Sequence, residues 1–344
     1  MKYQSDSARI KAQLISSNKI YIPDCIKLPY PLDKSTAGPG SGSLSIAFSF
    51  DNKNIKLEVS KDPNETFSLQ KANDNFHILK KGKKFLENVK IIPIFFHAPK
   101  QAFFNLEDRC IYNCAFCSLP KIGLLNDYSK EKFIKLIIKA TNLNDVHGIA
   151  LTAGVYPNNI KILEKICYIV QIIRKKIPDV SIGVETCILK DSEIVTLKNA
   201  GADEIKINIQ IPDKILFEKI CPEFNHEDIL KRLKEAVKIF GKGKVTSNII
   251  YGLGESDESV IQCIEKLARM GVVPTLRKLR VNRFNRERLE EALTYEIPIT
   301  SSERILKLAL KQKKIFEKYD LSTETFNTMC HKCGCCDIVP FFDV

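Results

Sequence analysis

QAFFNLEDRCIYNCAFCSLP, residues 101 to 120, runs from a stretch of strand character into three cysteines spaced four and then three apart, Cys110, Cys114 and Cys117. The chain beyond it repeats one rhythm. Five more short apolar runs follow: HGIALTAG (147 to 154), VSIGVET (180 to 186), DEIKINI (203 to 209), VTSNIIYG (245 to 252) and VPTLRKLRV (273 to 281). Amphipathic periodicity predicts helices near 129 to 141, 158 to 177, 191 to 200, 226 to 240 and 256 to 270. Asp191 and Ser256 suit helix N-caps, while Gly201 and Gly271 suit positions just past a C-terminus. Strands alternating with helices call for a parallel sheet with right-handed crossovers. Six strands fall short of the eight that close a full barrel. The expected fold class is therefore α/β, a partial (β/α)6 TIM-like barrel over residues 96 to 300.

Residues 1 to 95 lack that rhythm. Turn-rich GPGSGS (38 to 43) leads into SLSIAFSFD, whose alternation predicts a strand, and KNIKLEVSKD reads as its hairpin partner. We expect a small N-terminal β-rich accessory extension here. No Gly-Lys-Ser/Thr follows GPGSGS in P-loop spacing, so it reads as a flexible turn rather than a phosphate cradle. Residues 301 to 344 supply one more helix, to residue 319, and then the Cys-rich C-terminal tail NTMCHKCGCCDIVPFFDV.

With 344 residues, 44% of them apolar and 27% charged, the chain has the composition of a folded protein with a sizeable core. Its apolar runs are too short to cross a bilayer core of about 30 Å. Its first residues lack the apolar centre of a secretion signal, so no membrane and a cytoplasmic location are expected. There, 12 cysteines are better explained by metal binding or catalysis than by disulfides. Seven lie in two clusters; Cys25, Cys167, Cys187, Cys221 and Cys263 are scattered and read as small buried hydrophobes. A net charge of +12 favours acidic partners. The densest basic runs, KKGKK (80 to 84) and RKLRVNRFNRER (277 to 288), read first as solvated surface.

Thiolates ligate iron-sulfur clusters, and each iron of a four-iron cube wants a ligand, so three cysteines leave one iron open. A loop after a barrel strand is where this scaffold places its chemistry. A zinc site would normally recruit a fourth protein ligand, for which His97 is the candidate. The spacing CxxxCxxC, with aromatic Phe116 before the third cysteine, resembles the signature of the radical S-adenosylmethionine (SAM) superfamily, in its biotin synthase and lipoyl synthase-like branch.

That resemblance implies an oxygen-sensitive 4Fe-4S cluster on Cys110, Cys114 and Cys117 whose open iron chelates the amine and carboxylate of SAM. One-electron reduction, by a ferredoxin or flavodoxin, then yields a 5'-deoxyadenosyl radical that removes hydrogen from an unreactive carbon. Further cofactor contacts carry over to the strand ends. Thr152, Ala153 and Gly154 stand where a Gly-Gly-Glu-like turn holds the methionine amine; the glutamate is missing, which leaves main-chain carbonyls as acceptors. Glu185 stands where an acidic residue sits near the ribose or methionine moiety of the cofactor, and Asn208 where a polar residue is aimed at the ribose or substrate. NIIYGLGES resembles the GxIxGxxE adenine motif through Ile250, Gly252 and Glu255, with Asn248 in place of the first glycine.

The tail's Cys330, Cys333, Cys335 and Cys336 call for a metal: an auxiliary iron-sulfur cluster or mononuclear iron, or structural zinc. Cys335 and Cys336 are adjacent and cannot both readily bind one cube. One of the four is then free, or Cys25 completes the set. The resemblance implies that an auxiliary cluster orients substrate, carries electrons or is consumed as a sulfur source. The leading reading is a radical SAM transferase or oxidoreductase that inserts sulfur at an unactivated carbon of a small cofactor or an acidic carrier protein. A second assigns the radical chemistry to tRNA or a peptide, and a third is a non-catalytic iron-sulfur electron carrier.

Overall fold

The computed structural model describes residues 6–37, 40–94, 97–123, 128–143 and 146–344. Helix α1 (Asp6–Ser17) precedes seven strands: β1 (Lys19–Tyr21), β2 (Asp33–Lys34), β3 (Leu44–Phe50), β4 (Lys53–Ser60), β5 (Phe67–Ala72), β6 (Asn75–Lys80) and β7 (Lys83–Ile92). The expected hairpin is β3 and β4, joined through Asp51 and Asn52, both at positive φ, as a two-residue hairpin turn requires. The sheet order is β2-β3-β4-β1-β5-β6-β7, and a further β3–β7 pairing rolls the sheet back on itself. Of the GPGSGS turn, Gly38 and Pro39 lie outside the described residues.

The second sheet is the expected partial barrel. Strands β8 (Ala102–Asn105), β9 (Gly148–Thr152), β10 (Ser181–Glu185), β11 (Glu204–Lys206), β12 (Val245–Tyr251) and β13 (Val273–Lys278) pair in parallel and in chain order. Between them run α2 (Leu119–Ile122), α3 (Lys130–Thr141), α4 (Asn159–Lys176), α5 (Asp191–Ala200), α6 (Lys214–Ile220), α7 (His226–Phe240) and α8 (Asp257–Arg269). Beyond β13 come α9 (Arg286–Leu293), α10 (Ser302–Lys318) and α11 (Met329–Cys333). Ser256 caps α8 as expected, its side chain accepting from Ser259 N, and Gly201 ends α5 in the left-handed region. Asp191 is not a cap. Lys190 takes that position, and Asp191 sits in the first turn, where the helix dipole favours a carboxylate.

Alternate strand residues point to opposite faces. Ile149, Leu151, Ile182, Val184, Ile205 and Ile249 face outward into the main apolar core beneath the helices. Ala150, Gly183, Lys206, Thr246 and Thr275 face inward, a set too small and too polar to fill a barrel. The C-terminal tail fills it. Gly148 and Gly183 admit the tail: a side chain at Gly183 would strike Thr328, and one at Gly148 would come within 2.8 Å of the Asn327 carbonyl. Met329 packs on Phe103 and Ala150. The buried His331 ring sets Nε2 3.1 Å from Thr246 Oγ1, 3.3 Å from Thr275 Oγ1 and 2.9 Å from the Val273 carbonyl.

Glu204, buried at the base of β11, fixes where the tail enters. Its carboxylate accepts from Asn327 N (2.8 Å), Thr328 N (3.0 Å) and Thr328 Oγ1 (2.5 Å). At the far end, the buried Lys11–Asp343 pair (2.6 Å) ties the C-terminus to α1. Glu204→Ala removes three charge-assisted bonds and leaves the buried Thr328 N–H and hydroxyl unpaired. We expect it to lower the unfolding free energy by about 3 kcal/mol in urea titrations, and a loss under about 1 kcal/mol would contradict this anchoring role.

Candidate metal and cofactor site

The cysteine loop leaves β8 under firm main-chain control. Ile111 N donates to Val155 O and Ala115 N to Ile220 O, each at 2.8 Å, and Cys117 N donates to Cys114 O at 3.0 Å. Arg288, on α9, is the clamp: its guanidinium donates to Asn113 Oδ1 (3.0 Å), to Cys114 O (2.9 Å) and to Cys117 O. Buried Asn285 donates to Phe116 O at 2.7 Å. Gly154 lies against the Arg109 carbonyl so closely that any side chain there would collide with the loop. Around Phe116 a second apolar cluster forms from Phe217 and Ile220 on α6, Leu289 and Leu293 on α9, and Ile250. Neither α6 nor α9 was anticipated. Together they cover the Ala115 and Phe116 side of the loop, while Ile111 and Asn113 stay exposed.

Cys110, Cys114 and Cys117 line one cavity of about 310 Å³. Cys114 is held well above the usual thiol range by its hydrogen bond to Cys221 and by burial. Burial pushes Cys117 up to about 12 and also raises Cys110. Without metal these groups keep their protons, and a metal that displaces protons is what such a set accepts. Among the described residues no three His, Cys, Asp or Glu side chains converge on a single ion. The three cysteines line the same cavity. Two scattered cysteines read as core fillers also reach this cavity: Cys221 beside Cys114, and Cys187 in hydrogen-bond contact with Tyr112.

The strand ends converge on the same space. Phe116, Thr152, Ala153, Gly154, Glu185, Asn208 and Ile250 all line the cavity. Glu185 accepts from Asn208 Nδ2 (2.6 Å) and pairs with Lys206 Nζ (3.3 Å), while Asn208 Oδ1 accepts from Asn248 N (2.9 Å). Gly252 and Glu255 stand off the wall. Both Glu255 oxygens are spent on the turn, accepting from Gly252 N and Leu253 N at 2.8 Å each, with Arg304 also on Oε1 at 2.8 Å.

Opposite the first triplet, Cys330, Cys333, Cys335 and Cys336 line that cavity too. Cys330 Sγ accepts from Arg277 (2.6 Å) and Lys206 (3.2 Å), and Arg277 also pairs with Asp337 at 2.5 Å. Cys335 donates to Cys333, which holds the Cys333 sulfur toward its thiolate, and Lys56 and Arg277 favour that charge. His97, the candidate fourth ligand of the first triplet, lies instead among the cations around the tail. Its ring stacks on Phe103 at 4.4 Å, and Phe103 packs in the cluster that includes Met329 and Cys333. Burial together with Lys56 and Arg277 keeps its imidazole neutral. The basic run 277 to 288 is not a surface stripe. Arg277, Lys278 and Arg280 line the cavity, and Arg288 holds the cysteine loop.

The first loop of the barrel thus carries three cysteines along the wall of one cavity. Residues 104–267 match the family model "Radical SAM superfamily", a family whose chemistry uses SAM and a 4Fe-4S cluster. The chain is also similar to biotin synthases. It is 25% identical over 207 residues to that of Leptospira biflexa, covering 54% of this chain and 56% of the relative. It is 28% identical over 178 residues to that of Saccharopolyspora erythraea, covering 47% and 46%. The chain thus spans about half the length of the curated relatives it matches. Among solved structures, methylornithine synthase (PylB) matches with a TM-score of 0.50 at 16% identity, covering 61% of this chain and 62% of that one. The FeFe-hydrogenase maturase HydG from Carboxydothermus hydrogenoformans matches with 0.51 at 18% identity, covering 66% and 53%. These two likenesses show the fold alone. No helix among the described residues is long and apolar enough to cross a membrane.

Cys221 tests whether the first site is complete. In anaerobically reconstituted protein, Cys114→Ala should lose the iron of the first site, about four per chain. Cys221→Ala should keep it. A comparable iron loss in Cys221→Ala would make that residue a fourth ligand and overturn the three-thiol reading.

Proposed function

We propose that this protein cleaves SAM reductively at the site of Cys110, Cys114 and Cys117 and removes hydrogen from an unactivated carbon of a substrate held in the cavity. A second metal group on Cys330, Cys333, Cys335 and Cys336 acts on the same substrate. Sulfur insertion, with the tail group as the source, is the specific reaction we favour. One observation carries this reading: both cysteine sets line one cavity. A scaffold that only passed electrons has no use for a substrate-sized space between them.

When bound, the cluster and SAM supply the radical that breaks a strong C–H bond. The chain's own residues bind, orient and exclude water. Residues 152–154 offer main-chain carbonyls to the SAM amine. Glu185, held by Asn208 and Lys206, accepts from ribose hydroxyls, and Ile250 and Phe116 give the nucleoside an apolar wall. Gly252 and Glu255 act one step back, by fixing the turn after β12. Arg277 and Lys206 neutralise the Cys330 sulfur and orient it toward the cavity. We assign residues 1–95 to an accessory region, 96–300 to the radical SAM barrel and 301–344 to the helix and metal-binding tail. The electron donor is a ferredoxin- or flavodoxin-type protein, and the substrate a small cofactor or an acidic carrier domain.

Anaerobic incubation with dithionite and SAM should release 5'-deoxyadenosine and methionine. Cys114→Ala should release none above the reagent blank, and Lys81→Ala, at an exposed turn, should match wild type. Absence of 5'-deoxyadenosine from wild-type protein with its iron in place would remove the proposal.

A further inference from the structure

Five cationic side chains line the cavity, Lys56, Lys206, Arg277, Lys278 and Arg280, against two carboxylates, Glu185 and Asp337. Three of the five are engaged. Arg277 holds Asp337 and Cys330, Lys206 holds Cys330 and Glu185, and Lys56 donates to the His97 carbonyl at 2.8 Å beside the tail thiols. Lys278 and Arg280 remain. Among the described residues neither has a carboxylate within ion-pair distance. Lys278 Nζ donates to a main-chain carbonyl, that of Ser16, at 2.8 Å. Glu58 and Asp337 are the carboxyl groups that feel Arg280, yet Glu58 responds first to burial and to Lys19, and Asp337 is bonded to Arg277.

Two neighbouring cations on a cavity wall repel each other, and burial withholds the water that would screen them. Lys278 records that cost: burial and Arg280 push it down to about 8. Gly40 lies against this corner, since a side chain there would come within 3.3 Å of Arg280 Nη1. Among the described residues no carboxylate pairs directly with Lys278 or Arg280, and both line the cavity that the two cysteine sets share. A guanidinium beside an ammonium matches a carboxylate or phosphate, the first by its planar fork and the second as a point charge.

We propose that Lys278 and Arg280 anchor an anionic group, a carboxylate or a phosphate, of the substrate, and so fix which carbon lies between the two metal sites. The substrate role rests on the radical reading above; the anion site itself stands on geometry alone. A substrate bearing a terminal anion at one end and an unactivated C–H at the other satisfies both.

The test uses full-length, anaerobically reconstituted protein saturated with SAM, titrated calorimetrically with inorganic phosphate and separately with acetate. Wild type should bind one equivalent of at least one of them. Arg280→Gln and Lys278→Met should each weaken that binding about tenfold or more, and Lys278→Arg should restore most of it. SAM affinity, measured on the same samples, should hold. Three results would overturn the proposal: no anion binding by wild type, binding indifferent to both substitutions, or SAM affinity falling in parallel, which would make the pair the clamp of the SAM carboxylate. If Arg280→Gln does not fold, wild type and Lys278→Met decide the matter. A wild-type protein that keeps its iron but binds no SAM overturns the radical reading and the substrate role, and the anion titration then reports on the site by itself.

Discussion

A parallel barrel must have something in its middle. Here the strands do not provide it, because the inward positions carry Ala150, Gly183, Thr246 and Thr275, with Lys206 and Arg277 as charges that need partners. The C-terminal tail supplies the missing volume and the missing partners together. Met329 and His331 fill the space, Cys330 receives both cations, and Glu204 secures the point of entry. The chemistry follows from this packing requirement. A segment drawn inside to complete the core brings its cysteines to face those of the first loop.

The two cysteine sets meet different electrostatic surroundings. Around Cys110, Cys114 and Cys117 the environment is apolar, with Phe116, Ile250 and the α6 and α9 leucines and phenylalanines, and burial raises the thiols. Around the tail the environment is cationic, and Cys335 holds the Cys333 sulfur toward its thiolate while its own thiol is pushed up by that bond and by burial. The cationic side suits the holding of an anionic cluster and, beyond it, an anionic substrate.

Much of this was legible in the sequence. Six strand runs and the five longer helices between them were found to within three residues, because each outward strand face is continuously apolar and each of those helices has one buried stripe, whereas the short α2 and α6 were missed. The cysteine triplet and its strand-end companions were legible because they sit next to one another in sequence or recur at the same place in each βα step. What was missed depends on long-range contact. Nothing local says that RKLRVNRFNRER turns Arg277 and Arg288 inward, since their partners, Asp337, Cys330 and the cysteine loop, lie far away in sequence. The interior position of the tail was equally hidden, although Gly183 and Ala150 at inward strand positions were a signal that something else occupies the core. The remaining N-terminal strands are short and partly exposed, so their alternation is faint.

The central claim is that the protein provides three thiolates to the first site and leaves one iron for SAM. Low-temperature electron paramagnetic resonance of the dithionite-reduced protein, recorded with and without SAM, addresses it directly. The account predicts that SAM shifts the g-values of the signal belonging to the first site and leaves any tail signal unchanged. A spectrum indifferent to SAM, from protein holding its full iron, would contradict it.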